Sequence, residues 1–375
     1  MKILITYATA GIGHKKAALA VWDAIKARQK DDLVKVIDVL DYTGSFFKKY
    51  YPTIYLFLIN KLLFLWGILY YFLNFRITHF LFYQIRKMSH ILNSGPLIKF
   101  LCEFKPDVVV STHFLMPDVC AYVKKKYKID IHVINIITDY RAHSFWISEG
   151  VDKYCVASGR TRKDLLKKWR IPPSSVEVTG IPVEQRFSVP HSREFFRKKF
   201  DIPKNAFSVL LLSGGYGVGP IYKIVKLLNA LDSSLSVIVV CGHNEKLYRQ
   251  IEDFKKEASM KILNLGYVDN VNELMAASDV YVGKAGGIST TEALVMDLPL
   301  IYVRPIPGQE SRNADFIVKN NVGKQFQRAK DIAPIVRELM SSPEKLGMMK
   351  SNIRNIKKTH AADDIADLIF STFKK

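Results

Sequence analysis

The sequence predicts an α/β protein made of two Rossmann-like halves, on three observations. Short β-branched runs alternate with helical stretches along most of the 375 residues, the pattern of parallel sheets with helices on both faces. The series begins twice, near Lys2 and again near Phe207. Between the two lies "GIPVEQRFSVPHSREFFRKKFDIPKNA", rich in proline and charge, which reads as a linker.

In the first half "KILITYA" reads as a strand, "HKKAALAVWDAIKAR" as a helix and "VKVIDVL" as the next strand. "PDVVVST", "IHVINIIT" and "KYCVAS" follow as further strands. In the second half "FSVLLLSGG" is a strand entering a glycine turn, and "IYKIVKLLNAL" is a helix. "LSVIVVCG", "MKILNLGYV", "VYVGKAGG" and "LPLIYVRP" then give four strands running into loops. The expected domains are residues 1–185 and 205–356. The final helix, around "AADDIADLIFSTF" in 357–375, is a candidate to pack back on the first.

One stretch breaks the alternation. From Tyr50 to Phe82 the chain is crowded with Phe, Leu, Tyr and Trp, and Thr53, Asn60, Gly67 and Asn74 recur every seventh position as one narrow polar stripe. A helix so apolar is either deeply buried or in contact with lipid. In the next segment Arg76, His79, Tyr83, Arg86, Lys87 and His90 share one face, and Ile77, Phe80, Leu81, Ile85, Met88 and Ile91 the other. A basic amphipathic helix beside an aromatic one suits an anionic lipid interface. Leu65, Trp66, Arg76, Arg86 and Lys87 are therefore the candidate membrane-binding residues; the alternative is a hydrophobic helical pair packed on the sheet. A transmembrane span fits less well, because Lys61 and Arg76 bracket a run shorter than the roughly twenty residues that spanning needs.

The formal net charge of +20 favours an anionic partner: nucleic acid, an acidic membrane or a phosphorylated substrate. No zinc finger, RNP-type aromatic motif or arginine-rich tail points to nucleic acid, and none is expected as a partner. Cys102, Cys120, Cys155 and Cys241 form no CxxC pair, which suits free thiols in a reducing compartment. The opening "MKILITYATAGIGH" has too short an apolar run and no small-residue cleavage site, so a first strand is expected rather than a signal peptide.

The chemistry-bearing residues cluster in loops after strands. In "YVGKAGGISTTEAL" Gly286 and Gly287 allow close backbone approach, and the N–H groups near Ile288, Ser289 and Thr290 point from a helix start, a phosphate-binding arrangement. Glu292 in the first turn suits a ribose diol. Gly214, Gly215, Gly217 and Gly219 in "SGGYGVGP" form a second phosphate-sized loop that matches neither GxGxxG nor GxxxxGK[ST]. In "PIPGQESRNA" Gln309, Glu310 and Asn313 follow a rigid turn and supply both donors and acceptors for sugar hydroxyls. Ligands of open α/β sheets bind outside the carboxyl ends of the strands, where all of these residues are expected.

These residues carry a resemblance. "GKAGGISTTEAL…P…PIPGQESRNA" resembles the donor-binding signature of glycosyltransferase family 28. "AGIGHKKAALAV", "STHFLMPD", "ITDYRAHSFWI" and "VTGIPVEQRF" resemble its branch that glycosylates diacylglycerol, which contains the monogalactosyldiacylglycerol synthases and the processive diacylglycerol glucosyltransferases. The likeness runs from residue 3 to about 327. It implies a GT-B fold, two Rossmann-like domains facing an interdomain cleft, with the acceptor and membrane on the first domain and a UDP-sugar on the second. It also implies a glucose or galactose donor, inversion at the anomeric carbon and diacylglycerol as acceptor; the amphipathic and aromatic segment adds the expectation of peripheral, monotopic attachment to the cytoplasmic face of the cell membrane. By the same resemblance Gly286, Gly287, Ser289 and Thr290 cradle the diphosphate, approached also by Gly215. Glu292 holds the ribose, Gln309 and Glu310 the sugar, and Tyr267 and Val268 meet the uracil. No DxD triplet occurs, so neither metal nor cofactor is expected, and backbone dipoles stabilise the leaving UDP.

Inverting transfer needs a base for the acceptor hydroxyl. His14, at a helix start after the first glycine loop, is the first choice, and Asp139 in "ITDYRAHSFW" is the alternative or its orienting partner. Gly11 and Gly13 leave room on the acceptor side, with His113 and His143 as further candidates there. Two other readings remain: an N-acetylglucosaminyl transferase using UDP-GlcNAc and a polyprenyl-linked acceptor, and a non-catalytic basic binding protein.

Overall fold

The computed structural model describes residues 1–9, 11–28, 33–212, 214, 219–231 and 233–373, with the backbone alone at 52, 55, 56, 59 and 60. Its contacts divide the chain into two units. One comprises Met1–Glu184, Ile306–Arg312 and Lys358–Lys375; the other comprises Gln185–Pro305 and Asn313–Lys357.

The first unit is built on β1 (Lys2–Tyr7), β2 (Leu33–Asp38), β3 (Val108–Ser111), β4 (His132–Ile136), β5 (Lys153–Cys155) and β6 (Val176–Glu177). They form one sheet in the order β2-β1-β3-β4-β5-β6, every pair parallel. Alternate residues of a strand face opposite sides, and here both sides are covered. Ile3 and Ile5 meet Ala18, Val21 and Ile25 of helix α1 (Ile12–Arg28) together with Ile365 and Ile369 of the terminal helix Ala361–Phe373. Leu4 faces the other way, onto Leu97, Leu101, Met116 and Val119. Arg28 ties α1 to the terminal helix through Asp363 and Asp367, at 2.7 and 2.6 Å.

The second unit repeats the plan with β7 (Phe207–Leu212), β8 (Leu235–Val240), β9 (Lys261–Leu265), β10 (Val280–Gly283), β11 (Leu300–Val303) and β12 (Gly323–Phe326). Their order is β12-β11-β10-β7-β8-β9, again parallel throughout. Strands β6 and β12 are additions to the sequence reading: one is two residues long, and the other, "GKQF", lacks an apolar run.

The expected linker is not a free connector. Ser192 caps a helix over Arg193–Lys199, and Arg197 of that helix is buried. Its guanidinium donates to Asp279 Oδ2 at 2.9 Å and to the Ala277 and Ala206 carbonyls at 3.1 and 3.0 Å. A buried guanidinium needs such a full set of acceptors, so residues from Gln185 onward pack as part of the second unit.

The apolar stretch forms three helices: α2 (Ser45–Lys61), α3 (Leu63–Leu73) and α4 (Arg76–Asn93). Breaks at Leu62 and Asn74 interrupt the expected stripe. Gly67 and Asn74 nevertheless face protein. A Cβ on Gly67 would lie 3.1 Å from Pro307 Cβ, and Asn74 Oδ1 accepts from the Ser144 N–H at 3.0 Å.

Candidate active site

In the first sheet the winding direction reverses between β1 and β3, the position where such sheets take ligands. His14 follows β1, Thr112 and His113 follow β3, and Thr138 and Asp139 follow β4. Parallel pairing of these three neighbours therefore gathers residues more than a hundred positions apart.

The His14 Nδ1–H donates to the Thr112 carbonyl at 2.6 Å, with Thr138 Oγ1 at 3.3 Å from the same nitrogen. A carbonyl only accepts, so in the neutral ring Nδ1 carries the proton and Nε2 keeps its lone pair. The Thr112 hydroxyl donates in turn to the His14 carbonyl at 2.9 Å. The imidazole lies edge-on to His113, centroids 5.2 Å apart, and 6.1 Å from the Trp146 ring. Burial holds the His14 pKa below its ordinary value; the Asp139 carboxylate and the Thr112 hydrogen bond oppose that shift. The position in the first turn of α1 also disfavours the cation.

Asp139 is buried. Its Oδ2 accepts from the Trp146 indole at 3.3 Å, and its Oδ1 from Gln309 Nε2 at 2.5 Å. Gln309, expected on the donor side, thus lies beside Asp139 in the first unit. Glu310 Oε2 accepts from the Ile306 N–H at 3.2 Å and closes the turn before it. That turn requires glycine at 308: its φ is +108°, and a Cβ would meet the Tyr70 ring at 3.0 Å. Beside Gly11 the space is open, and Gly13 is partly exposed.

The other two histidines have structural work. His113 is buried, and its Nδ1 accepts from the Leu115 N–H at 3.2 Å, starting helix Leu115–Tyr127. Burial, and then the charges of His14, His90 and Arg86, keep its pKa well below the ordinary value. His143 Nε2 donates to the Tyr70 carbonyl at 2.8 Å, and its Nδ1 accepts from the Phe145 N–H at 3.1 Å. Burial lowers its pKa to about 3, partly opposed by the Tyr70 hydrogen bond.

In the second sheet the reversal falls between β7 and β10, and the glycine loops follow these strands. Gly214 has a φ of +72°; Gly215 lies outside the described residues. Gly286 precedes helix Gly287–Val295, whose first N–H groups, from Gly287, Ile288 and Ser289, have no acceptor within the helix. Ser289 Oγ donates to the Gly286 carbonyl at 3.3 Å. Thr290 departs from expectation: its side chain is fully buried and its hydroxyl pairs with Tyr302 OH at 2.6 Å, so it turns into the core. Glu292 is buried in the same turn of helix. Exposed Tyr267 stacks on His243, centroids 4.6 Å apart and planes 10° apart, with Val268 partly exposed beside it. His243 and Trp146 were not singled out by the sequence; His243 lies just after the end of β8, whereas Trp146 lies well past β4 in the turn Ser144–Trp146 and carries no such signal.

The membrane-surface candidates divide. On α4 the apolar side faces outward, with Ile77, Phe80 and Leu92 exposed to 79%, 76% and 77%. Leu65 is exposed, Trp66 half-buried against Tyr70, and Arg76 exposed. Arg86, expected at a lipid surface, points inward instead. Its guanidinium pairs with the fully buried Asp118 through two bonds of 3.1 Å, because a carboxylate removed from water requires a counter-charge. Lys87 pairs with Glu149 at 2.6 Å. Among the described residues no helix is long and apolar enough to cross a membrane.

Comparison with known proteins matches residues 14–183 to monogalactosyldiacylglycerol (MGDG) synthase and residues 218–369 to the glycosyltransferase family 28 C-terminal domain. The processive diacylglycerol beta-glucosyltransferase of Bacillus pumilus is 31% identical over 98% of this chain and 94% of its own. The protein of the same name from Bacillus subtilis is 31% identical over 76% and 74%. Among solved structures, MurG of Acinetobacter baumannii covers 99% of both chains with a TM-score of 0.64 at 14% identity. The architecture is the GT-B fold.

Proposed function

We propose a reaction for a chain that belongs to the diacylglycerol-glycosyltransferase branch of glycosyltransferase family 28 and is therefore a sugar-transferring enzyme. It moves glucose or galactose from a UDP-sugar to the free hydroxyl of diacylglycerol, with inversion. The observation that carries this reading is the Nδ1 bond from His14 to the Thr112 carbonyl, which leaves Nε2 as a fixed, neutral proton acceptor.

In the transfer the acceptor oxygen attacks the anomeric carbon as the carbon–oxygen bond to the diphosphate breaks, and UDP leaves with that electron pair. The acceptor proton passes to His14 Nε2, and the nearby Asp139 carboxylate stabilises the imidazolium that forms. Gln309, held by Asp139, is positioned for a sugar hydroxyl. In the second unit the N–H groups of Gly287, Ile288 and Ser289 meet the diphosphate, with no metal required, and the helix dipole offsets its growing charge. Glu292 serves the ribose, and Tyr267 with His243 serves the uracil.

The lipid acceptor implies work at a membrane. Exposed apolar side chains gather on α2, α3 and α4, the kind of surface that marks an interaction site, and the net charge of +20 favours anionic lipid. The proposed location is the cytoplasmic face of the cell membrane, without a spanning helix. The test is incubation with vesicles containing diacylglycerol and a panel of UDP-sugars, followed by analysis of the lipid. A glycolipid made from UDP-glucose or UDP-galactose supports the assignment. Sugar-nucleotide hydrolysis with no labelled lipid refutes it.

A further inference from the structure

The loop from His143 to Glu149 is held by the apolar helices along its length. His143 and the Ser144 hydroxyl donate to the carbonyls of Tyr70 and Leu73 at 2.8 and 2.7 Å. Arg86 Nη1 donates to the Phe145 carbonyl at 2.7 Å and Nη2 to the Ile147 carbonyl at 3.0 Å. The Glu149 N–H donates to Tyr83 OH at 3.0 Å.

Trp146 lies between the two carbonyls that Arg86 holds. It is buried, its indole N–H donates to Asp139 Oδ2 at 3.3 Å, and its ring is 6.1 Å from that of His14. The guanidinium is itself fixed from behind by Asp118, which also accepts from Ser148 Oγ at 2.7 Å and contacts His90 Nδ1 at 2.8 Å. A planar fork can bind a carboxylate and reach two carbonyls at once; a single ammonium cannot.

We propose that Arg86 is a positioning residue for sugar transfer: by holding the carbonyls of Phe145 and Ile147 it aims the Trp146 indole at Asp139 and keeps that carboxylate beside His14. The inference rests on the proposed roles of His14 and Asp139. It gives α4 two duties on opposite faces, an apolar stripe outward and a hold on the site inward.

Arg86→Lys keeps a positive charge for Asp118 but cannot span both carbonyls. The expected result is a kcat for glycolipid formation at least about tenfold lower, with KM for the UDP-sugar, UDP affinity and vesicle binding within about twofold of the parent. A folded variant whose kcat stays within about twofold overturns the proposal. So does a variant that loses melting temperature, UDP affinity and kcat in step, the signature of a purely structural residue. If Arg86→Lys does not fold, the double variant Arg86→Met, Asp118→Asn removes both buried charges and is judged by the same criteria; loss of fold there too overturns the positioning role. His14→Ala, assayed in parallel, separates the two levels. Full activity of His14→Ala refutes the underlying reading, whereas an inactive His14→Ala beside a fully active Arg86→Lys refutes this inference alone.

Discussion

The His14 ring donates from Nδ1 to the main-chain carbonyl of Thr112 across 2.6 Å. That single contact chooses the tautomer, and with it the nitrogen available to take a proton. Thr112 reaches His14 because β3 pairs directly with β1. The imidazole is thus oriented by a main-chain carbonyl of the sheet.

His14→Ala is expected to lower kcat by about 10²–10⁴-fold while leaving UDP binding unchanged, as measured by calorimetry. Nε2 works only when unprotonated, and burial lowers the His14 pKa. With His14 as the proposed base, activity should therefore persist below the ordinary histidine range and be lost as pH falls through the lowered pKa. Asp139→Asn removes a charge that raises this pKa, so the acid limb of kcat/KM should move to lower pH even as kcat falls. A limb moving to higher pH contradicts the assignment.

His143 bears on stability through its own titration. Its pKa is lowered to about 3 in the fold, so between its ordinary value and about 3 the unfolded chain binds the extra proton. Stability should fall as pH drops through that window, by up to about 1.4 kcal/mol per pH unit. His143→Gln should flatten this part of the stability–pH curve, measured by chemical denaturation at several pH values. An unchanged slope would place the titration elsewhere.

Thr290 separates a buried role from a ligand-binding one. Its hydroxyl pairs with Tyr302 in the core, so Thr290→Val should cost about 0.5–1.5 kcal/mol of stability through loss of that hydrogen bond. UDP affinity should hold within about twofold on the proposal that main-chain N–H groups meet the phosphate. Selective loss of UDP affinity at full stability would return the hydroxyl to the diphosphate.

The outward face of α4 is open to direct test. Phe80→Glu together with Ile85→Glu alters two exposed side chains and should leave the melting temperature nearly unchanged, since surface substitutions usually fall within about 0.5 kcal/mol. Flotation with anionic vesicles should show binding reduced at least about tenfold, from lost apolar burial and added like charge. Unchanged flotation would remove this face from the proposed membrane surface.

Much of the candidate site was legible because it depends on position after a strand. His14, Asp139, Gly286 and Gly287 all follow runs whose β-branched composition marks them in the sequence. Thr290 lies on a helix buried on nearly every side, where no facial pattern signals which hydroxyl turns into the core. Arg86 differs, because α4 has two faces distinct in sequence and the usual rule sends the polar side outward. On α4 that rule is reversed, because Asp118, 32 positions away, is buried and draws Arg86 and His90 inward.

The sequence by itself determined the two parallel sheets, the strand-end loops and the existence of a strongly apolar helical stretch, since each follows from local periodicity and residue type. Only the tertiary structure decided which face of α4 looks out, which His14 nitrogen carries the proton, and that Gln309 meets Asp139. Those outcomes depend on partners distant along the chain, and a buried charge or donor takes whatever partner the packed fold brings within reach.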